Sequence, residues 1–346
     1  MKKIAISILK FSLPLAFGFF LIWYIYKDLS VQDKEHIIDS FKSANYLWIL
    51  LSIFLGIISH ISRAVRWCIL LRPMGYNPSN FNSFFAVMVG YLANMAFPRL
   101  GEISRCAVMT KYEKIPFEKA FGTVMAERVV DLIFLLSLTV FAIVSQLDLV
   151  GLFLKEEILT PLINKFSGNQ SDKVIYLGVI MLVVMGLVYF LKKRINKIYS
   201  KLRILILGFG EGFKTILKIQ NKGLFFLHSV FIWVVYFFML YVCFFALPQT
   251  SQVSLGGVLA CFVFGSFGII AVQGGIGAYP AILTKTLILY GVSAPFGFAL
   301  GWIAWTAQTT MILIVGVISI VLLPILNKKY SKDEEISNIK VENISA

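Results

Sequence analysis

The sequence predicts an all-α integral membrane protein, with six full transmembrane helices and two broken, re-entrant elements in an inverted-topology repeat. Three observations predict it: how apolar the chain is, where its apolar runs stop, and how its charges divide among the loops. Of 346 residues, 58% are hydrophobic and 14% charged, and the mean hydropathy is +0.83. A soluble domain averages about 45–50% apolar and about 25% charged. So apolar a chain has too little polar surface for water, and a bilayer is the solvent that suits it.

The elements follow in order. Met1-Lys2-Lys3 precedes an apolar run reaching Tyr26. It resembles a signal peptide's start but is too long, and no small-x-small cleavage site follows it. We read an uncleaved first span, about 8–26. A polar loop runs from Lys27 to Asn45, and a second span covers about 46–71. The apolar stretch 84–97 is 14 residues long, whereas a crossing helix needs about 20. It stops at Pro98-Arg99-Leu100-Gly101-Glu102 and is read as re-entrant. Further spans are predicted at about 120–147, 174–191, 224–247 and 296–326. The Gly-rich apolar region 255–292 is interrupted by Gln273-Gly274-Gly275-Ile276-Gly277 and forms the second broken element.

Charge sets the expected orientation. Segment 192–222 has nine Lys and Arg against Glu211, with leucines, isoleucines and phenylalanines between them. It reads as an amphipathic basic segment on the cytoplasmic surface. Loops 27–45 and 148–173 each carry three Lys against four acids, and loop 248–254 carries no charge, so these lie outside. Both termini are then cytoplasmic. The expected organisation is one polytopic domain, 1–326, with halves of about 1–150 and 174–326 and a polar cytoplasmic tail, 327–346. Gly101 and Gly277, one in each break, lie 176 residues apart. Inverted halves with helices broken near the midplane are a transporter design. A multi-pass protein of the cell inner (cytoplasmic) membrane is expected.

The net charge of +14 would suggest nucleic acid in a soluble protein. Here it reflects cytoplasmic loops, and no nucleic-acid partner is expected. Cys68, Cys106, Cys243 and Cys261 sit in or beside apolar segments without a CxxC. They are expected to be free thiols packed as small hydrophobes. His36, His60 and His228 are scattered. No metal and no cofactor are expected, nor is catalytic chemistry: there is no Walker motif and no GxSxG.

Four constellations carry candidate chemistry. In the first break, Arg99 and Arg105 suit a phosphate, and Glu102 could hold an arginine or take up a proton. The plainer reading is a solvated loop. Glu127-Arg128-x-x-Asp131 places two acids i,i+4 on one helix face, where they could neutralise those arginines when no substrate is bound. Alternatively, the helix merely begins in the headgroups. Arg63-x-x-Arg66-Trp67 is either an interface anchor or a headgroup site. Gly274, Gly275 and Gly277 could present backbone N–H groups to an anion, or simply let helices pack closely. Lys285 could assist them or snorkel.

Together these patterns resemble the lysylphosphatidylglycerol synthase transmembrane domain family, also called flippase-like, over roughly 5–326. The landmarks are Arg63-x-x-Arg66-Trp67, Asn94 with Pro98-Arg99-x-Gly101-Glu102-x-x-Arg105, Glu127-Arg128-x-x-Asp131, and Gly274-Gly275-x-Gly277. The resemblance implies movement of lipids between leaflets. It implies a stand-alone member, without the soluble aminoacyl-transferring domain. Many members carry an acid just after the glycine motif, where this chain has Ala278-Tyr279-Pro280. The expected activity is translocation of a phospholipid or polyprenyl-phosphate-type anionic lipid. The alternatives are a membrane transferase using a lipid-linked donor, or a scaffold for a lipid-modifying enzyme. Membrane lipids are the expected partners, with a homo-oligomer or a lipid-modifying enzyme as further ones.

Overall fold

The computed structural model describes residues 16–24, 26–27, 29–97, 99–146 and 221–328, and the described residues are all-helical. In order they form α1 (16–24), α2 (Val31–Ser43), α3 (Tyr46–Leu71), α4 (Asn80–Ala96), α5 (Leu100–Glu113) and α6 (Phe117–Val144). After the undescribed stretch come α7 (Lys222–Cys243), α8 (Leu255–Ala271), α9 (Ala278–Ile288) and α10 (Ala294–Leu326). The expected span at 174–191, the basic segment up to residue 220 and the tail beyond 328 lie outside the described residues.

Stretches Tyr46–Met74, Lys222–Ala246 and Ala294–Leu326 are long and apolar enough to cross a bilayer. Leu313, Ile314, Val317 and Val321 of α10 stay exposed, as lipid-facing side chains do. Helix α6 has 28 residues, but Glu118, Lys119, Glu127, Arg128 and Asp131 interrupt its apolar character. This is a multi-pass membrane protein.

One stretch departs from expectation. The polar run after Lys27, read as a loop, contains the 13-residue α2. Ser30 and Asp33 form a reciprocal capping box: the Asp33 N–H donates to Ser30 Oγ at 3.1 Å, and the Ser30 N–H donates to Asp33 Oδ2 at 3.0 Å. Such a box satisfies two otherwise orphaned backbone donors and fixes the helix start.

Both broken elements are antiparallel helical hairpins. In the first, Gly90 of α4 packs against Gly101 and Arg105 of α5. In the second, Gly265 and Gly268 of α8 pack against Tyr279 and Ala278 of α9, while Gly257 meets Tyr290 just beyond it. Their construction matches. Each opens with a 17-residue helix and ends in an extended residue, Phe97 (φ −141, ψ 135) or Val272 (φ −120, ψ 133). Each then turns through positive φ, at Arg99 in one and at Gly274, Gly275 and Gly277 in the other. A long helix and a 3₁₀ turn precede each hairpin (α3 with Arg72–Met74, α7 with Phe244–Ala246), and a long helix follows it. The same succession of elements thus occurs twice.

Helix α10 measures where the hairpins lie. Its 33 residues span about 50 Å. From its start, Gly297 meets Thr284 and Leu287, Gly301 meets Pro280, and Trp305 Nε1 donates to the Gly274 carbonyl at 2.7 Å. Further along, Gly316 meets Leu92 and Met88, and Asn327 exchanges amide hydrogen bonds with Asn82. The second hairpin therefore lies along the first half of α10 with its tip inward. The first hairpin lies along the second half, also tip inward. They open at opposite ends of the bundle. Their tips touch where Gln273 Nε2 donates to the carbonyls of Met95 and Asn94 at 3.1 and 3.3 Å.

Candidate functional site

Helices α3, α5 and α6 converge on a buried charged cluster beside the first hairpin. Arg63 and Arg66 stand one turn apart on α3 and are 3% and 0% exposed. They neither snorkel nor anchor at an interface. Arg63 donates to Asp131 at 2.7 Å and to the Tyr236 hydroxyl at 3.2 Å. Arg66 reaches Glu127 at 3.3 Å, Asp131 at 2.9 Å and the Ser229 hydroxyl at 3.2 Å. Glu127 and Asp131 share one face of α6, as their spacing predicts. Their partners differ in part from the expected ones. Glu127 does meet Arg105 at 2.7 Å, but Asp131 serves Arg63, Arg66 and, more loosely, Arg128.

Arg105 lies flat on Trp67, its guanidinium carbon 3.7 Å from the ring centroid. Trp67, expected in an interface belt, is fully buried and donates from Nε1 to Thr123 Oγ1 at 2.8 Å. A cation stacked on an indole away from water gains appreciably from the ring quadrupole. Arg128 pairs with Glu102 at 3.3 Å, and its side chain is 39% exposed, which makes it the cluster arginine nearest to solvent.

Four guanidinium groups thus face three carboxylates. Ions buried this deeply are costly unless paired. The pairing is incomplete: Arg63 Nε, Arg105 Nε, Glu102 Oε2 and His60 Nδ1 are buried without hydrogen-bond partners. Glu102, Arg105 and Arg128 border a narrow cavity of about 10 Å³ with Asn94 and Tyr91. That is room for roughly one water. The site has spare donors and an excess of positive charge, yet is shut in this conformation.

Of the other expected site residues, Asn94 borders this cavity and the rest lie elsewhere. Asn94 Oδ1 accepts from the Gly101 N–H at 2.7 Å and so caps the broken start of α5. Arg99 does not join Arg105: it is exposed, at φ 65, on the turn before α5. Six residues of a 3.6-residue turn put the two on different faces. Pro98 lies outside the described residues. The glycine break supplies the hairpin tip, and the Gly275 N–H is spent on the Val272 carbonyl at 2.7 Å. Lys285 is exposed near the end of α9, far from the arginines. All four cysteines are buried with free thiols.

Sequence reasoning missed Tyr91, Tyr236 and Ser229. Their hydroxyls join the network, with the Tyr91 and Tyr236 oxygens 3.4 Å apart. The available clue was a tyrosine hydroxyl in the middle of the apolar span 224–247.

The sequence profile of the lysylphosphatidylglycerol synthase TM region matches residues 8–316. The chain belongs to that family. The chain is also similar to a UPF0104 membrane protein of Methanothermobacter thermautotrophicus, 26% identical over 299 residues, 82% of this chain and 87% of that one. A UPF0104 membrane protein of Methanocaldococcus jannaschii is 32% identical over 146 residues, 41% of this chain and 42% of its own length. A protein named glycosyltransferase AglD, from Haloferax volcanii, is 26% identical over 141 residues, 40% of this chain and 22% of its own length. The matches thus span under half of the Methanocaldococcus relative and under a quarter of the Haloferax one. No solved structure matches.

Proposed function

We propose that this family member translocates an anionic lipid, a phospholipid or polyprenyl phosphate, between leaflets. The observation that carries the reading is the excess of guanidinium over carboxylate in a cluster buried against a broken helix. One guest anion balances that charge, and the partnerless N–H groups of Arg63 and Arg105 can bond to it. Non-helical backbone inside hydrocarbon is tolerated where it borders such a cavity. Two hairpins meeting tip to tip, and opening at opposite ends, suit alternating access from either side. We read the whole as six full spans and two hairpins in inverted halves. The setting is the cell inner membrane, with cytoplasmic termini and a basic cytoplasmic segment at 192–222. Membrane lipids are the partners in this reading. No nucleic acid, metal or cofactor enters it, and a second copy or a lipid-modifying enzyme is an additional partner.

The test is flux. Purified protein in vesicles of phosphatidylcholine and fluorescent phosphatidylglycerol should move the label to the other leaflet, read by dithionite quenching. Arg128→Gln, at the least buried cluster arginine, should fold normally. A hydrogen bond to a charged group contributes about 1.5–3 kcal/mol, so the rate should fall about tenfold or more. An unchanged rate would overturn the proposal. Transfer of a group from a lipid-linked donor, lost in the same variant, would favour a transferase.

A further inference from the structure

A second cavity, of about 280 Å³, lies at the open end of the second hairpin. It is an open cleft bordered by α1, the start of α2, the end of α9 and the start of α10. Tyr24, Leu29 and Ile288 give it apolar walls; Lys285, Ser293 and Asp33 give it polar ones. Lys285 makes no ion pair among the described residues, and its ammonium lies 6.0 Å from the centroid of the Tyr24 ring. Ser293 is the N-cap of α10 but makes no capping hydrogen bond through its side chain. Ala294 and Pro295, the first two residues of a 33-residue helix, border the same space; Pro295 has no N–H, so of these two only Ala294 adds a backbone donor at a helix end that favours negative charge. Asp33 opposes these donors. Its Oδ2 accepts from both the N–H and the hydroxyl of Ser30, which holds the carboxyl below the usual carboxylate range and keeps it ionised.

We infer that this cavity binds a phosphodiester lipid headgroup that carries its own hydrogen-bond donors. The phosphate sits against Lys285 and Ser293, the headgroup's hydroxyl or amine donates to Asp33, and the chains follow Tyr24 and Ile288 into the lipid. A headgroup with a second negative charge and no such donor meets Asp33 and is disfavoured.

Position gives the site a role. It adjoins the first turn of α10, whereas the arginine cluster is level with Gly316. Those positions are roughly 30 Å apart along the helix, about the thickness of the hydrocarbon core. The two sites then serve opposite leaflets, one for loading and one for release. That role rests on the translocation reading; the binding does not.

The experiment uses the full chain in phosphatidylcholine nanodiscs with graded phosphatidylglycerol, phosphatidylethanolamine or phosphatidic acid. Retained lipid is counted by native mass spectrometry. Phosphatidylglycerol and phosphatidylethanolamine should be retained over phosphatidic acid. K285Q, at an exposed position, should keep the wild-type unfolding temperature and lose retention about fivefold, the weight of one cation near a membrane surface. D33N should admit phosphatidic acid. Unchanged retention in K285Q would overturn the site, and so would a D33N variant that still excludes phosphatidic acid. Displacement by millimolar inorganic phosphate would make the ligand a soluble anion and overturn the lipid assignment. Should flux fail while K285Q-sensitive retention persists, translocation falls and this site stands.

Discussion

The two hairpins share a backbone plan and differ in almost everything placed on it. The first carries Glu102 and Arg105 just past its break and holds them in a buried ionic network. The second has no charge until Lys285, and three residues at its tip are glycines at positive φ. One plan therefore serves two purposes. In the first, the break brings charge to the inside of the bundle. In the second, it makes a slim tip that reaches the carbonyls of its counterpart through Gln273. The first hairpin should be held by electrostatics and the second by close approach, and each can be broken in its own way.

The largest effect should come from Glu127, which is 0% exposed and bridges Arg66 and Arg105. Glu127→Gln keeps the shape and removes the charge. Breaking a buried pair by removing one partner costs about 3–5 kcal/mol, because the other ion stays buried and uncompensated. Thermal unfolding in detergent should show a clear fall in midpoint. A midpoint equal to wild type would mean that charge does not hold the first hairpin.

The sequence made the hairpins legible and left the pairing hidden, for a physical reason. A 14-residue apolar run ending in Pro98-Arg99 is too short to cross, so length alone exposes the break. The i,i+3 and i,i+4 spacings of Arg63 with Arg66 and of Glu127 with Asp131 gave faces, because helical period is local. Which face meets which is set by packing between α3 and α6, more than fifty residues apart. Arg99 and Arg105 were grouped because they are neighbours in sequence; the turn before α5 separates them. Helix α2 was hidden in a polar stretch, although Ser30-x-x-Asp33 was its start signal.

Glycine substitutions compare the hairpins more gently. A Cβ at Gly101 would collide with the Gly90 carbonyl and with Asn94, and one at Gly277 would collide with the Gly18 carbonyl at φ 72. Gly274 has open space at φ 65, so alanine there meets only backbone strain. Overpacking costs about 1–3 kcal/mol, and a left-handed non-glycine residue about 1–2 kcal/mol. Unfolding midpoints should therefore fall further for Gly101→Ala and Gly277→Ala than for Gly274→Ala. Equal losses at Gly274 and Gly277 would mean that conformation, and not close approach, governs the second tip.

The smallest effect has the most informative sign. Glu102 Oε2 is buried without a hydrogen-bond partner, and its pair with the half-exposed Arg128 is loose. On the translocation reading proposed above, this carboxylate occupies the place a guest anion would take. Glu102→Gln should therefore strengthen binding of phosphatidylglycerol about three- to tenfold, as expected when a competing charge worth about 1 kcal/mol is withdrawn at a partly exposed pair. A residue that helped to hold the guest would weaken binding when neutralised. Titration of the variant and the wild type in nanodiscs separates the two. Weaker binding would make Glu102 part of the cradle, and the first hairpin would lose its internal stand-in for the guest.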